Sequence, residues 1–372
     1  MPLKNIFCQG KAITNLQLAF VADKVAHSYI FAGQDGVGKF TTARDFAKLL
    51  LCKNPVKRGG FNDSCGNCVS CRAFDAGSHP DFEYVYKELY KYTKEGSDKE
   101  PSVEFRINVV REFLIEKVSS KPALSARRVF ILTEAEKLNN ESQNCLLKVL
   151  EEPPAYCCII LICTRPDKLL PTIRSRCQIL RFGPVAEEKI IEKLHELGLD
   201  EKQAKFFARL ADGSLGLACT YARLEQNEAN LYQTKTGLLE TIAELDYKDT
   251  LDLADNFLRQ SKALAAVWAN LEPGTSKTDI SRKSAKIIIQ IVIAALHDAM
   301  LANVTPQEHL INFDQPRQIQ KIARRFNTEQ AAQKIVDCFK AIHWVESSVN
   351  EKLIFETLLL NLAETDKITS GL

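Results

Sequence analysis

A glycine-rich loop between a β-type run and a helix-type run constrains the fold of this chain more than any other feature. Residues 28–32 read SYIFA, the segment 33–42 reads GQDGVGKFTT, and helical periodicity follows in TTARDFAKLLLC. Strand, glycine loop and helix in this order are the context in which the pattern of a phosphate-binding loop, G-x-x-x-x-G-K-[ST], is meaningful. The sequence therefore predicts that the chain begins with an α/β domain.

Two further apolar, β-branched runs support this fold class. RRVFILTEAEKL at 127–138 and CCIILICT at 157–164 are typical of buried parallel strands. Between them, residues 139–154 are predicted to form a helix that is stopped by Pro153 and Pro154. The alternation of strand, helix and strand predicts a parallel sheet.

Composition and charge exclude several classes of protein. The 372 residues are 45% hydrophobic and 26% charged, which is typical of soluble globular proteins. With 49 basic and 47 acidic residues the net charge is +2, so a nucleic-acid contact would have to be a local patch. Residues 1–20 contain neither a continuous apolar stretch nor a small-residue cleavage site, so no signal peptide is expected. The apolar run from Ile287 is shorter than a membrane span and is predicted to be a buried core helix of a cytoplasmic, non-membrane protein.

Twelve cysteines in such a chain indicate metal ligands or buried thiols rather than disulfides. Four of them have the spacing C-x12-C-x2-C-x2-C, namely Cys52, Cys65, Cys68 and Cys71. Four thiolates form a closed tetrahedral zinc site without an open coordination position, so the predicted zinc is structural. The alternative is three loop thiols beside an unrelated core cysteine. The other cysteines are predicted to be mostly small buried hydrophobic residues: Cys8, Cys145, Cys157, Cys158, Cys163, Cys177, Cys219 and Cys338.

The chain is predicted to have three parts. The first is an α/β domain over 1–165 with an inserted zinc module near 52–71. Strand signals stop near Val185, and the pattern beyond it is helical almost throughout. The second part is therefore a small helical lid over 166–216, and the third is an all-α domain over 217–372.

Four residues of a phosphate-binding loop are retained, namely Gly33, Gly36, Gly38 and Lys39. In a working loop the backbone amides hold phosphates, the lysine neutralises them, and the Ser or Thr after the lysine binds magnesium. Phe40 stands at that last position, and its ring cannot ligate a hard cation.

The second magnesium contact of such a site is missing as well. The strand VFILTEAEKL should end in an acidic pair that binds magnesium and orients water. Its end reads Thr133-Glu134, so a threonine stands where the metal-binding aspartate is expected. Efficient ATP hydrolysis is therefore not expected, and the residues leave open whether Lys39 still holds a phosphate.

Two arginines follow the last predicted strand, just beyond the turn at Pro171. The segment LLPTIRSRCQILRF places Arg174 and Arg176 there. Their spacing alone leaves two interpretations open, a solvated helix end or a functional pair.

Taken together, these segments resemble the bacterial DNA polymerase III clamp-loader family of AAA+ proteins. The matching segments are HSYIFAGQDGVGK, the four-cysteine cluster, HPDF at 79–82, LLKVLEEPP, TRPDKLLPTIRSRC and VNEKLIFETLLLNL. They extend from Ile6 to Leu362, and the combination of the cysteine cluster with LEEPP and SRC is specific. The resemblance implies an AAA+ P-loop α/β domain with an inserted zinc module, a small helical lid, and a C-terminal helical collar domain.

Within that family, the chain resembles the delta-prime subunits more than the ATPase subunits of the gamma/tau type. Phe40 and Thr133 depart from the ATPase pattern, and Gly216 stands where the ATPases carry their sensor-2 arginine. The chain is also expected to lack the long extension of a tau form. The resemblance implies a non-hydrolysing scaffold in a five-membered ring that loads the sliding clamp onto primed DNA.

The resemblance also implies roles for single residues. Arg176, the arginine of SRC, would reach the ATP of a neighbouring ATPase subunit and stabilise charge in phosphoryl transfer. Thr164 matches sensor 1, but because no metal-bound nucleotide is expected beside it, the interpretation as an ordinary strand-end hydroxyl is favoured. The implied partners are the gamma/tau ATPase and delta subunits, the sliding clamp and, through the assembly, primed DNA. The implied cofactor is structural zinc, while ATP binding in the chain's own loop is doubtful.

Two other functions fit parts of the sequence. An active ATPase, of the gamma/tau type or a stand-alone AAA+ enzyme, would need a metal-binding residue at position 40 and an acid at position 133, and the sequence has neither. A zinc-dependent DNA-binding module is disfavoured because the knuckle at Cys65–Cys68 lacks the interleaved basic and aromatic residues expected of such modules.

Overall fold

The computed structural model describes residues 6–96, 105–273, 275–347 and 349–364. The chain divides into two compact units. The first consists of Met1–Lys189 with Gly213–Gly216, and the second of Ile190–Asp212 with Leu217–Leu372. Of the charged segment 86–102, predicted to be a solvated excursion, residues 97–102 lie outside the described residues.

The elements follow one another in the order that the sequence patterns predict for an α/β domain and a helical remainder. The strands are β1 (Ser28–Ala32), β2 (Val56–Arg58), β3 (Phe61–Asp63), β4 (Phe82–Val85), β5 (Arg128–Leu132), β6 (Cys157–Cys163) and β7 (Gln178–Arg181). The first helices are α1 (Gly10–Val21), α2 (Lys39–Leu51), α3 (Val69–Asp75), α4 (Ile107–Val110), α5 (Glu116–Val118), α6 (Asn140–Glu151) and α7 (Pro171–Arg174). The later ones are α8 (Glu187–Glu196), α9 (Glu201–Leu210), α10 (Leu215–Gln226), α11 (Leu231–Ala243), α12 (Thr250–Leu271), α13 (Lys277–Leu301), α14 (Pro316–Arg325), α15 (Thr328–Glu346) and α16 (Glu351–Ala363).

The first unit is built on a five-stranded sheet in the order β4-β5-β6-β1-β7. Every pair in it is parallel, and β1 lies between β6 and β7. All residues of β1 and β6 are buried, which is why these strands are continuous apolar runs. The carboxyl ends of the strands meet at one edge of the sheet, and the glycine loop after β1 lies there. The predicted fold class, α/β plus all-α, is confirmed.

Helices cover both faces of this sheet. Successive side chains of a strand point to opposite faces. In β1, Tyr29 and Phe31 accordingly belong to one hydrophobic core and Ile30 to the other. Helix α2 packs into the first core through Phe46, and α6 packs into the second through Leu146. The helix at α6 was predicted, and it ends at Glu151, just before the two prolines.

The strand β7 lies inside the segment that was predicted to be a helical lid. Its backbone pairs in parallel with β1, with Tyr29 opposite Gln178. Of its four residues only Leu180 is buried. A short, half-exposed edge strand lacks the apolar run that identified β5 and β6. The sheet of the first unit therefore continues beyond residue 165, up to Arg181.

The second unit is helical in its described residues, and α13 is its central helix. By length and composition α13 could cross a membrane, but 67% of its most apolar window is buried inside the protein. Its fully buried Asp298 accepts hydrogen bonds from the backbone N–H groups of Ile311 at 3.0 Å and Asn312 at 2.7 Å. The prediction that the apolar run from Ile287 forms a buried core helix is confirmed.

Candidate functional site

The glycine loop connects β1 directly to α2. Gly36 and Gly38 have φ angles of 75° and 100°, in the left-handed region that favours glycine, and Gly38 caps α2. A Cβ atom at Gly33 would lie only 2.5 Å from the carbonyl oxygen of Phe182. The glycines of the predicted loop are thus required by the backbone itself, whether or not a nucleotide binds.

The side chain of Lys39 folds back onto this loop. Its Nζ donates to the carbonyl oxygen of Gly33 at 2.7 Å and to that of Gln34 at 2.6 Å, and the residue is 4% exposed. Burial lowers the pKa of Lys39, and the charges of Asp35 and Glu136 oppose that shift. The ammonium group that would neutralise phosphates is therefore engaged by the chain's own oxygens.

Gly216 touches the same loop. Its backbone N–H donates to the carbonyl oxygen of Gly36 at 2.8 Å. A Cβ atom at Gly216 would lie 2.8 Å from the Cα atom of Gly36, which is closer than real Cβ atoms approach. Position 216 thus accepts only glycine in this packing. In the ATPase subunits of the family that this chain resembles, an arginine stands at this position.

The ring of Phe40 belongs to a cluster of three aromatic side chains. The Phe40 ring lies 5.0 Å from that of Tyr84 between centroids, and Tyr84 lies 4.9 Å from Tyr86. Phe40 and Tyr84 are each 38% exposed. Aromatic carbon thus lies where a magnesium-binding hydroxyl is expected.

The end of β5 carries Thr133 and Glu134 as predicted. Thr133 donates its backbone N–H to the carbonyl oxygen of Val85 at 3.1 Å, next to the edge strand β4. The carboxylate of Glu134 pairs with Lys137, and Lys87 Nζ lies 3.7 Å from it. The one acidic residue retained from the predicted pair is thus bound to lysines of its own chain.

Glu136 also belongs to this site, although no sequence pattern predicted it. One carboxylate oxygen accepts a hydrogen bond from Thr164 Oγ1 at 2.5 Å, and the other is buried without a hydrogen-bond partner in the described part of the chain. Thr164 directly follows β6, the strand beside β1, so the carboxylate lies near the glycine loop and its charge acts on Lys39. A second acid shortly after a strand end, in TEAE, was the available signal.

Four cysteine sulfurs converge beside the end of α2, and all lie within 4.8 Å of one another. Three of the Sγ–Sγ distances are 3.6 Å (Cys52–Cys65), 4.0 Å (Cys52–Cys68) and 3.9 Å (Cys65–Cys71). A tetrahedral zinc ion with bonds of about 2.3 Å separates its sulfurs by about 3.8 Å. The four residues predicted as ligands are therefore brought together with the spacing that such an ion needs.

The backbone around this cluster favours the thiolates of Cys65 and Cys68, whose pKa values are lowered, whereas burial raises the pKa of the Cys52 and Cys71 thiols. Three N–H groups donate to cysteine sulfurs: Cys65 to Cys52 (3.3 Å), Cys68 to Cys65 (3.3 Å) and Cys71 to Cys68 (3.4 Å). Gly66, with φ of 80°, allows the turn between them. Burial opposes ionisation of Cys68, but the backbone N–H donors, first that of Cys71, lower its pKa to about 6. Hydrogen bonds to a charged form stabilise that form.

Five of the other cysteines are buried, as predicted, namely Cys157, Cys158, Cys163, Cys177 and Cys338. Cys145 and Cys219 are half-buried. For Cys8 the prediction was wrong, because this residue is exposed ahead of α1. Its φ of 58° and the hydrogen bond that its sulfur accepts from Ala186 N–H at 3.5 Å belong to a turn rather than to a core.

Arg176 lies on the surface of the first unit, just after the short helix α7. Its Nη2 lies 3.0 Å from a carboxylate oxygen of Glu151, and its Nη1 donates to the carbonyl oxygen of Thr172 at 3.1 Å. The side chain is 36% exposed. The neighbouring Arg174 is half-buried, as Arg176 is, so burial does not distinguish the two predicted arginines.

Two family models match this chain. They describe the DNA polymerase III delta subunit, over residues 8–186, and the C-terminal part of that subunit, over residues 279–364. Together they match more than half of the chain.

Individual bacterial proteins are similar over shorter stretches. The chain is 37% identical over 152 residues to DNA polymerase III subunit delta' of Pseudomonas aeruginosa, covering 41% of this chain and 42% of that protein. It is 31% identical over 219 residues to subunit tau of Bacillus subtilis, covering 57% and 35%. With subunit delta' of Escherichia coli it shares 30% identity over 204 residues, covering 55% and 56%. The chain thus spans between a third and somewhat over half of the length of these relatives.

Among solved structures, a gamma subunit-related DNA polymerase III protein from Thermotoga maritima is similar with a TM-score of 0.41 and 16% identity. The similarity covers 93% of this chain and 97% of that one.

Proposed function

The chain belongs to the clamp-loader family of DNA polymerase III, and from this premise we propose that it is a non-hydrolysing subunit of the delta-prime type. The observation that carries the proposal is the loss of both magnesium-binding residues, at Phe40 and Thr133. Phosphoryl transfer from ATP depends on a metal ion that bridges the phosphates and neutralises developing charge. At positions 40 and 133 the chain therefore lacks the two side chains that would hold that ion.

The contacts of the loop support the same proposal. Lys39 is bonded to two carbonyl oxygens of the loop, and Gly216 leaves no room for a side chain that could reach a γ-phosphate. We therefore propose that the backbone conformation of the loop is the reason why the chain retains its four loop residues, Gly33, Gly36, Gly38 and Lys39. We do not propose ATP as a ligand of this loop in the native protein.

Arg176 is the residue that we propose acts on a nucleotide, and that nucleotide belongs to another subunit. A guanidinium at the surface between β6 and β7 can stabilise charge on a γ-phosphate across an interface, as arginine fingers do in trans. Its half-exposed side chain and surface position support this role.

We propose that Cys52, Cys65, Cys68 and Cys71 bind one structural zinc ion. The sulfur separations fit a closed tetrahedral site, and the backbone N–H donors favour the thiolates of Cys65 and Cys68 that a metal requires. The four ligands tie the end of α2 to the β2–β3 hairpin and to α3. Bound zinc would thus stabilise the fold of this module, and it leaves no coordination position for chemistry.

The remaining assignments follow from family membership. We propose that 166–216 serves as a lid and 217–372 as a collar in a ring with gamma/tau ATPase and delta subunits. That ring would load the sliding clamp onto primed DNA in the bacterial cytoplasm.

ATP turnover tests the proposed function. The chain alone is expected to show no activity above background, whereas a reconstituted ring with ATPase subunits should turn over ATP on primed DNA. Turnover by the isolated chain that disappears in Lys39→Ala would overturn the proposal. That result would favour the second candidate function, an active gamma/tau-type ATPase. The 31% identity to a tau subunit is the observation that supports this candidate.

A further inference from the structure

The guanidinium of Arg176 is held between two helices. Helix α6 ends at Glu151, whose carboxylate lies 3.0 Å from Nη2, and α7 contributes the carbonyl oxygen of Thr172, 3.1 Å from Nη1. Arginine has five N–H donors in a planar fork. These two contacts leave the Nε–H and one N–H on each terminal nitrogen without a partner in the described part of the chain.

The platform beneath this pair is rigid. Ile173 of α7 is fully buried in the same hydrophobic core as Leu150 of α6. Gln143 of α6 accepts a hydrogen bond from the backbone N–H of Leu170 at 2.8 Å, which fixes the residue before α7. Both partners of the arginine are thus mounted on packed elements.

We propose that Glu151 is a positioning residue that holds Arg176 in the orientation in which its free N–H groups face a phosphate of the neighbouring subunit's nucleotide. This inference rests on the trans-acting role of Arg176 proposed above. Arginine has several rotatable bonds, and an unrestrained side chain would visit many orientations. A group held in place before the reaction stabilises transition-state charge without first being ordered.

The contact is too exposed to serve mainly for folding. Glu151 is 51% and Arg176 is 36% exposed, and ion pairs of this kind contribute little to the stability of a fold. Removing the carboxylate should therefore leave the melting temperature and the zinc content unchanged. Glu152 is a matched control, because it is the next residue, carries the same charge and is exposed.

The experiment uses the reconstituted ring with primed DNA and measures kcat and KM for ATP. The variants are Glu151→Ala, Arg176→Ala, the double variant and the control Glu152→Ala. We expect Glu151→Ala to lower kcat about three- to five-fold with KM unchanged, the range that an exposed ion pair can supply. Arg176→Ala should lower kcat further, and the double variant should match Arg176→Ala, because Glu151 has no effect without the arginine.

The outcomes separate the two proposals. A ring with Arg176→Ala that works at the normal rate overturns both the trans-acting arginine and the role of Glu151. A slow Arg176→Ala ring with a normal Glu151→Ala ring overturns the role of Glu151 alone. The same conclusion follows if the two substitutions add, or if Glu152→Ala lowers kcat as much as Glu151→Ala does.

Discussion

At the scale of single residues, polar groups of the glycine loop are bound by the chain itself. The buried ammonium of Lys39 needs partners, because an unpaired buried charge is strongly destabilising. Two carbonyl oxygens of the loop supply them. The hydroxyl of Thr164, which the resemblance matches to sensor 1, donates to Glu136. A carboxylate near the loop repels the negative charge that a nucleotide would bring.

We therefore expect Glu136→Gln to tighten the binding of ADP by about tenfold, or roughly 1.4 kcal/mol. Like charges a few ångströms apart near a protein surface repel by about this much or more. Titration of a fluorescent ADP analogue without magnesium measures the change.

The control for Glu136→Gln is Glu134→Gln. The carboxylate of Glu134 is already paired with Lys137 and lies near Lys87, so its loss should change ADP binding less. Equal affinities in the two variants would show that Glu136 does not exclude nucleotides.

At the scale of elements, a buried histidine joins the cysteine-bearing module to the sheet. His79 Nδ1 accepts the backbone N–H of Asp81 at 3.0 Å, and Nε2 lies 2.8 Å from Ser70 Oγ and 3.2 Å from Ser125 Oγ. Both hydroxyls donate to the carbonyl oxygen of Leu51, the last residue of α2. This network requires a neutral imidazole with its proton on Nε2, a tautomer that we assign from the hydrogen bonds. It links α2, α3 and the segments before β4 and β5.

This network predicts a pH dependence of stability. Burial lowers the pKa of His79, and the charge of Asp81 only partly opposes that shift. Above the ordinary histidine pKa of about 6.5, both folded and unfolded states are neutral and stability is complete. As the pH falls below that value the unfolded state takes up the proton first, so the free energy of unfolding decreases.

Thermal melts between pH 8 and pH 5.5 test this prediction. His79→Asn should be less stable at pH 8, by about 1–3 kcal/mol for the unpaired groups, and should lose less stability on acidification than the native chain. Loss of zinc at low pH would affect both proteins, so the difference between their slopes reports on His79. Identical slopes would contradict the assignment.

At the scale of the whole molecule, the chain consists of two compact units. The four-cysteine cluster belongs to the first, and the buried helix α13 is central to the second. Units with separate cores can unfold in separate transitions, in which case a single melting temperature does not describe the chain. Zinc bound in the first unit should stabilise only that unit.

We expect calorimetry to resolve two transitions, of which a zinc chelator or Cys68→Ser lowers only one. The loss of a structural zinc site should cost several kcal/mol in that unit.

Metal analysis of the native protein should find about one zinc per chain. As a control, Cys338→Ala, which leaves a small cavity in place of a fully buried thiol of α15, should lower the other transition. A chelator that leaves both transitions unchanged would exclude structural zinc.

The sequence by itself determined the features that depend on residue type and local spacing. The strand, glycine loop and helix around Lys39 could be predicted because each has its own period and turn chemistry. The loss of magnesium ligands at Phe40 and Thr133 follows from the chemistry of those side chains alone. The spacing of the cysteines between Cys52 and Cys71 predicted a cluster because short turns bring thiols at these intervals together.

Only the tertiary structure decided which distant groups meet. The edge strand β7 is stabilised by its pairing with β1, and its half-exposed residues carry no strand signal of their own. Glu136 meets Thr164, and Glu151 meets Arg176, across 28 and 25 residues of chain respectively. Local periodicity contains no information about such pairs, since they depend on strand order and helix packing. Local periodicity does not predict the contact of Gly216 with the glycine loop either, because this contact forms where the chain returns to the first unit.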